Sequence, residues 1–216
     1  MSALSRIRDP CMITDVNRLS AFVLAGGKSS RMGRDKAFLS WGKETLLSNA
    51  LKLAGNVAAS VYIVGDKEKL HRCGSVIEDV YRDRGPLGGI HAALASSITD
   101  LNLMLAVDLP LVKPQFLHYL VSQADESGAT VTVPRTGNGW QPLCAVYRRE
   151  FAAIAEQALI EGKNKIDALF ARVKTRVLRE QELDEWGFSA GMFRNLNTPE
   201  ELDKARRWLA DGNGIP

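Results

Sequence analysis

The sequence predicts an α/β fold built on a mostly parallel sheet. Short runs of apolar and β-branched residues alternate with segments of helical periodicity along most of the chain, the pattern of strands joined by crossover helices. Residues 101–107 are apolar at nearly every position, as a central strand covered on both faces must be. Gly-rich segments at Gly26-Gly27 and at residues 85–89 punctuate the alternation. In such sheets ligands bind beyond the carboxyl ends of the strands, so the residues at those ends carry the functional question.

Leu19–Leu24 reads as a buried strand entering a Gly-rich turn. Residues 44–54 place Leu46, Leu47, Ala50, Leu51 and Ala54 on one helical face, with Gly55 suited to the C-terminal cap. A strand at 61–64 and a short helix at 66–72 follow, then a brief strand at Val76-Ile77 that leads into Glu78-Asp79. Residues 85–89 read as a loop before a helix reaching Ser97. After the strand at 101–107 come a helix at 114–124 and strands at 129–133 and 142–147. Helices at 150–159 and 165–172, a strand at 173–178 and a helix at 199–209 opened by Pro199 complete the reading. No internal repeat or linker is visible, so residues 19–216 read as one domain behind a flexible lead-in at 1–18.

Composition narrows the function. The chain has 216 residues, 45% of them hydrophobic, and a net charge of only +3, which gives no case for nucleic acid as a partner. No apolar run reaches the ~18 residues a membrane helix needs, and the N-terminal stretch lacks the apolar core of a signal peptide. A cytoplasmic location is the expectation. Cys11, Cys73 and Cys144 contain no Cys-x-x-Cys pair, so they read as incidental thiols in a reducing compartment.

The first strand runs into Leu24-Ala25-Gly26-Gly27-Lys28-Ser29-Ser30-Arg31-Met32-Gly33-Arg34-Asp35-Lys36. Its glycines permit close backbone approach to a ligand, and free N–H groups in such turns cradle phosphate oxygens. Lys28, Arg31, Arg34 and Lys36 supply four cations within nine residues, matching a triphosphate in sign. Neither the Walker A pattern nor Gly-x-Gly-x-x-Gly is present, which argues against a P-loop ATPase and an NAD enzyme. Asp108 directly follows the most apolar strand. A carboxylate there suits Mg²⁺, which takes one or two acids plus phosphate and water; Asp is equally a favoured helix cap. Asp79 follows a shorter strand, where a surface acid is common.

This loop resembles the signature of nucleotidyltransferases with a three-layer Rossmann-like fold, and more narrowly that of molybdenum cofactor guanylyltransferases. Ile77-Glu78-Asp79, Gly85-Pro86-Leu87-Gly88-Gly89-Ile90, Ala106-Val107-Asp108-Leu109-Pro110, the Gln141-Pro142-Leu143-Cys144 segment and Asn195-Leu196-Asn197-Thr198-Pro199-Glu200 resemble the same family, in order. The resemblance implies transfer of GMP from GTP to molybdenum-molybdopterin, with release of pyrophosphate and with Mg²⁺ as cofactor. It assigns Leu24, Ala25, Gly26, Gly27, Lys36, Asp79 and Asp108 to the nucleotide, and Asp108 also to the metal. Lys36, Arg31 and Asp108 become the catalytic set, and Asn195 and Asn197 line the acceptor pocket. Asn197 or Thr198 is at the same time a candidate cap for the last helix. Molybdoenzyme-maturation proteins are the implied protein partners, with neither nucleic acid nor membrane. Lys163 and Lys165 fit either a phosphate contact or a solvated helix end, and Asp79 fits either the base or the ribose. Some relatives carry an Asn after the second strand, whereas this chain reads Val64-Gly65-Asp66 there. A cytidylyltransferase on the same cofactor is the nearest rival, although such relatives typically carry Ala where Gly26 stands. A non-catalytic nucleotide-binding adaptor is the rival from another class. His71, His91 and His118 receive no catalytic role.

Overall fold

A computed structural model of the chain describes residues 18–26, 35–81 and 83–210. Its centre is an eight-stranded sheet built from β1 (Leu19–Leu24), β4 (Ser60–Val64), β5 (Val76–Ile77), β6 (Leu101–Ala106), β7 (Val131–Thr136), β8 (Gly139–Trp140), β9 (Cys144–Arg148) and β10 (Thr175–Arg179). The order is β10-β7-β9-β6-β1-β4-β5, with β8 paired to β7. β1 pairs in parallel with both β4 and β6, β4 with β5, and β10 with β7, whereas β9 runs antiparallel to β6 and β7. β2 (Ser40–Trp41) and β3 (Glu44–Thr45) form a separate small hairpin.

Alternation along the strands sorts the core into two layers. Leu19, Ala21 and Val23 of β1 and Leu101, Leu103 and Leu105 of β6 face one side. There they meet α1 (Leu46–Gly55), α4 (Pro114–Ser127), α6 (Glu180–Glu185) and α7 (Pro199–Ala210). Phe22, Met104, Ala145 and Tyr147 face the other side, against α3 (Pro86–Ser96) and α5 (Phe151–Ile160). A helix–sheet–helix sandwich results, with α2 (Lys67–Leu70) at the β4–β5 crossover.

Several boundaries depart from the sequence reading, each for a local reason. Glu44 and Thr45 belong to β3, and Thr45 caps α1 by accepting the Ser48 N–H at 3.1 Å. Gly55 is the last residue of α1, and Asn56 is its cap. Residues 86–89 are the first turn of α3 rather than a loop: Pro86 suits the first helical position, and Leu87, Ile90 and Leu94 are fully buried. Burial outweighs the poor helix propensity of Gly88 and Gly89. The helix read at 165–172 is a 3₁₀ turn at Asp167–Arg172. The hairpin β2–β3, strand β8, helix α6 and a 3₁₀ turn at Ala190–Phe193 lie outside the sequence reading.

The entry to α7 is a capping box. Thr198 Oγ1 accepts the Glu201 N–H at 3.1 Å, while Glu201 Oε2 accepts the N–H groups of Thr198 at 3.2 Å and Asn197 at 2.7 Å. Thr198, not Asn197, is therefore the cap. Thr198→Ala is expected to cost about 1 kcal/mol, or about 2–4 °C in Tm for a domain of this size. Thermal melting checks it, and an unchanged Tm would remove the cap from the stability of this region.

Candidate functional site

Strand order reverses between β1 and β6, the crevice where doubly wound sheets place ligands. Leu24 is aligned with Val64 on one side and Ala106 on the other, and Val64 with Ile77. Four parallel strands therefore end on one edge. Ala25 N–H donates to the Val64 carbonyl at 2.9 Å and Val107 N–H to the Leu24 carbonyl at 3.2 Å, so the ladder continues past the strand ends. Antiparallel β9 starts at the same edge, where the Leu143 carbonyl accepts the Ala106 N–H at 2.7 Å. The turn before it is held by Tyr147, whose hydroxyl donates to the Pro142 carbonyl at 2.8 Å.

Gly26 then passes against Gly65. A Cβ on Gly65 would stand 3.3 Å from the Gly26 nitrogen and 2.8 Å from Leu70 Cδ1. Absence of a side chain at Gly65 lets the two strand ends meet without displacing Leu70. Asp66 caps α2 by accepting the Glu68 N–H at 3.0 Å.

These ends surround a cleft of about 610 Å³, within the range of small-ligand sites. Leu24, Ala25 and Gly26 form its floor beside Val64, and Leu143 closes the apolar wall. Lys36 and Asp108 stand at one end, with Nζ 2.6 Å from Oδ2. Both side chains are largely buried, at 22% and 16% exposed. Lys36 is delivered by a 3₁₀ turn, Lys36–Phe38, that Asp35 caps through the Ala37 N–H at 3.1 Å and that the buried Ala37 anchors. Asp108 does not cap α4, whose cap is Lys113. Its carbonyl instead accepts the Leu196 N–H at 3.0 Å. That bond sets exposed Asn195 and Asn197 on either side of buried Leu196, beside Asp108 but outside the lining of the cleft. Gly27 and Arg31 lie outside the described residues, as do Lys28, Ser29, Ser30 and Arg34.

Asp79 lines the cleft together with Asp83, Gly85 and the start of α3. Hypothetical Cβ atoms on Gly88 and Gly89 would stand 3.6 and 3.5 Å from the Asp79 carboxylate, so the acid lies close against the first turn of α3. Asp79 Oδ1 is buried and has no hydrogen-bond partner among the described residues. Burial raises the Asp79 pKa above the ordinary carboxylate value, and buried His91 offsets part of the rise. Asp83, with φ 61°, is a cleft residue that sequence reasoning missed. Lys163 and Lys165 are exposed and pair with Glu161 at 2.8 Å and Asp167 at 3.6 Å, away from the cleft lining, as a solvated helix end does.

Among the described residues no cluster of three or more His, Cys, Asp or Glu is arranged to hold a metal. Among the described residues the lining carries three carboxylates, Asp79, Asp83 and Asp108, and one ammonium, Lys36, which pairs with Asp108. A hard cation held by one carboxylate and completed by phosphate oxygens and water fits this donor set.

The raised Asp79 pKa has a testable sign. The folded protein holds the Asp79 proton at pH values where the unfolded chain has lost it. Stability therefore falls as pH rises through that window and stays lower above it. At pH 7, Asp79→Asn is expected to raise the Tm of the free protein, with the gain fading as pH drops below the ordinary carboxylate pKa of about 4. Melting curves at both pH values check this, and a destabilised Asn variant at pH 7 would contradict it.

Residues 21–182 match the family model of the MobA-like NTP transferase domain. A probable molybdenum cofactor guanylyltransferase of Pelotomaculum thermopropionicum is 36% identical, over 85% of this chain and 90% of its own length. The molybdenum cofactor guanylyltransferase of Syntrophotalea carbinolica is 33% identical, over 91% and 93%. The crystal structure of molybdopterin-guanine dinucleotide biosynthesis protein A from Archaeoglobus fulgidus superposes with a TM-score of 0.76 at 25% identity, covering 89% of this chain and 99% of that one. With the Lys36–Asp108 pair at the switch point of a mostly parallel sheet, and with these relatives aligned along most of its length, the chain belongs to the MobA-like NTP transferase family, whose members are nucleotidyltransferases.

Proposed function

We propose that the protein is a molybdenum cofactor guanylyltransferase, transferring GMP from GTP to molybdenum-molybdopterin and releasing pyrophosphate. The observation that carries this reading is the Lys36–Asp108 pair at one end of a cleft whose other wall holds Asp79. The names of the relatives supply the substrates.

In the proposed reaction an oxygen of the acceptor's terminal phosphate attacks the α-phosphorus of GTP. A new P–O bond forms as the bond from the α-phosphorus to the bridging oxygen of pyrophosphate breaks. The attacking group is already anionic, so no general base is needed, and positioning with charge neutralisation carries the catalysis. Lys36 offsets charge on the triphosphate, with Arg31 assigned the same task. Asp108 would hold Mg²⁺ through its carboxylate. When bound, the ion would supply positive charge to offset that of the phosphates. Leu24, Ala25, Gly26 and Gly27 approach the nucleotide with backbone. Asn195 and Asn197, tied beside Asp108 through Leu196, take the acceptor side. No helix among the described residues is long and apolar enough to cross a membrane. A cytoplasmic location and hand-over to molybdoenzyme-maturation proteins belong to the same proposal.

Asp79 is the residue assigned to base choice. Guanine offers N1–H and an exocyclic amine, and one carboxylate accepts from both. Cytosine presents an acceptor at N3, which a carboxylate repels, and unpaired buried polar groups discriminate strongly.

Turnover with GTP and CTP separates the readings. Wild type is expected to prefer GTP, and Asp79→Ala to collapse the GTP:CTP ratio. A fall of both rates at constant ratio assigns Asp79 to the ribose, and a wild-type preference for CTP replaces the guanylyl reading by a cytidylyl one. Asp108→Ala is expected to lower kcat by about a hundredfold or more at saturating Mg²⁺. Lys36→Ala should weaken GTP binding by about tenfold, with incomplete rescue by Lys36→Arg because a planar fork replaces a point charge. Near-normal turnover in Asp108→Ala would remove it from the site.

A further inference from the structure

The segment between β5 and α3 carries both Asp79 and Asp83 into the cleft, yet its described residues have no regular secondary structure. It also contains two demanding backbone conformations, Asp83 at φ 61° and Gly85 at φ 65° and ψ −158°. Local propensity does not hold such a segment in one shape, and positive φ at a non-glycine residue persists where surrounding contacts fix it.

Tyr81, within the same segment, makes contacts on the side facing α5. The Tyr81 ring sits edge-on to His91 of α3, with centroids 5.1 Å apart and planes at 73°. The Tyr81 hydroxyl donates to Glu156 Oε1 on α5 at 3.2 Å, and His91 Nε2 lies 3.9 Å from the same oxygen. His91 is only 5% exposed, and its Nδ1 is buried with no partner among the described residues, like Asp79 Oδ1. A Cβ on Gly88 would stand 2.9 Å from the Tyr81 carbonyl, so the segment lies directly on the first turn of α3. Tyr81 is thus fastened to two helices while its near neighbours Asp79 and Asp83 face the nucleotide cleft.

We propose that Tyr81, His91 and Glu156 form a positioning cluster behind the cleft, which holds the Asp79–Gly85 segment in the shape that receives the nucleotide. The inference rests on the reading of the cleft as a GTP site. Glu156, on a helix that contributes nothing to the cleft lining, then governs nucleotide affinity through Tyr81. The cluster acts on donor binding and not on the Lys36–Asp108 end where phosphoryl chemistry is assigned.

The test is calorimetric binding of GTP with magnesium to the full chain carrying Tyr81→Phe, Glu156→Ala or both, beside melting curves and steady-state kinetics. Tyr81→Phe removes one hydroxyl and keeps the ring on His91. Each single variant is expected to weaken GTP binding about three- to tenfold, the worth of one hydrogen bond. The KM for GTP should rise by the same factor, while kcat and the acceptor KM stay within about twofold. The double variant should bind no more weakly than the worse single one, because both changes break one contact. Glu156→Gln keeps an acceptor for the hydroxyl and is expected to restore affinity to within about twofold of wild type. Unchanged GTP affinity in both single variants overturns the cluster, as does a lowered Tm with no change in the KM for GTP. A wild-type protein that fails to bind GTP overturns the nucleotide reading and the cluster with it.

Discussion

Strand β1 is hydrogen-bonded on both sides, to β4 and to β6, in parallel register along its length. Parallel pairing on both flanks brings three carboxyl ends to one edge, and β5, paired to β4, adds a fourth. Everything at the cleft depends on this alignment. Asp108 reaches the edge because β6 ends level with β1, and Asp79 reaches it because β5 ends level with β4. Covering both sheet faces keeps the register fixed: Ala21, Phe22 and Val23 are fully buried, and slipping one residue would exchange the core faces.

The same alignment gathers like charge. Asp79, Asp83 and Asp108 share a cleft in which Lys36 is the cation among the described lining residues. Lys36 and Asp108 offset each other directly. Asp79 is left partly desolvated, with one oxygen buried against the glycines of α3. A buried carboxylate oxygen without a partner costs stability, and the proposed function gives it one in a ligand's donors. The two acids assigned to phosphate chemistry and to donor recognition in the proposed function thus stand where two strands deliver them.

Much of this was legible in the sequence. The apolar runs that become β1 and β6 announce themselves by composition, and the glycines after the first and Asp108 after the second mark the ligand edge. Lys36 was legible through its loop, but its 2.6 Å pairing with a residue 72 positions away was not. Direction of pairing was also hidden: β9 reads as an apolar strand either way, and its antiparallel course shows only in the register with β6. Residues 86–89 looked like a loop because glycine is a poor helix former, and tertiary burial of Leu87 and Ile90 decided otherwise. Tyr81, His91 and Glu156 gave no signal because their meeting joins elements up to 75 residues apart, and periodicity does not encode such contacts. Residues 27–34, where Gly27 and Arg31 were assigned, lie outside the described residues.

Nucleotidyl transfer at the Lys36–Asp108 end of the cleft is tested most directly by following label. The chain is incubated with molybdenum-loaded molybdopterin, Mg²⁺ and GTP labelled at either the α- or the γ-phosphorus. Attack at the α-phosphorus predicts α-label in a pterin dinucleotide and γ-label in pyrophosphate, in equal amounts, with both products lost in Asp108→Ala. Gamma-label appearing as inorganic phosphate or on the acceptor, with no α-label transferred, would contradict it.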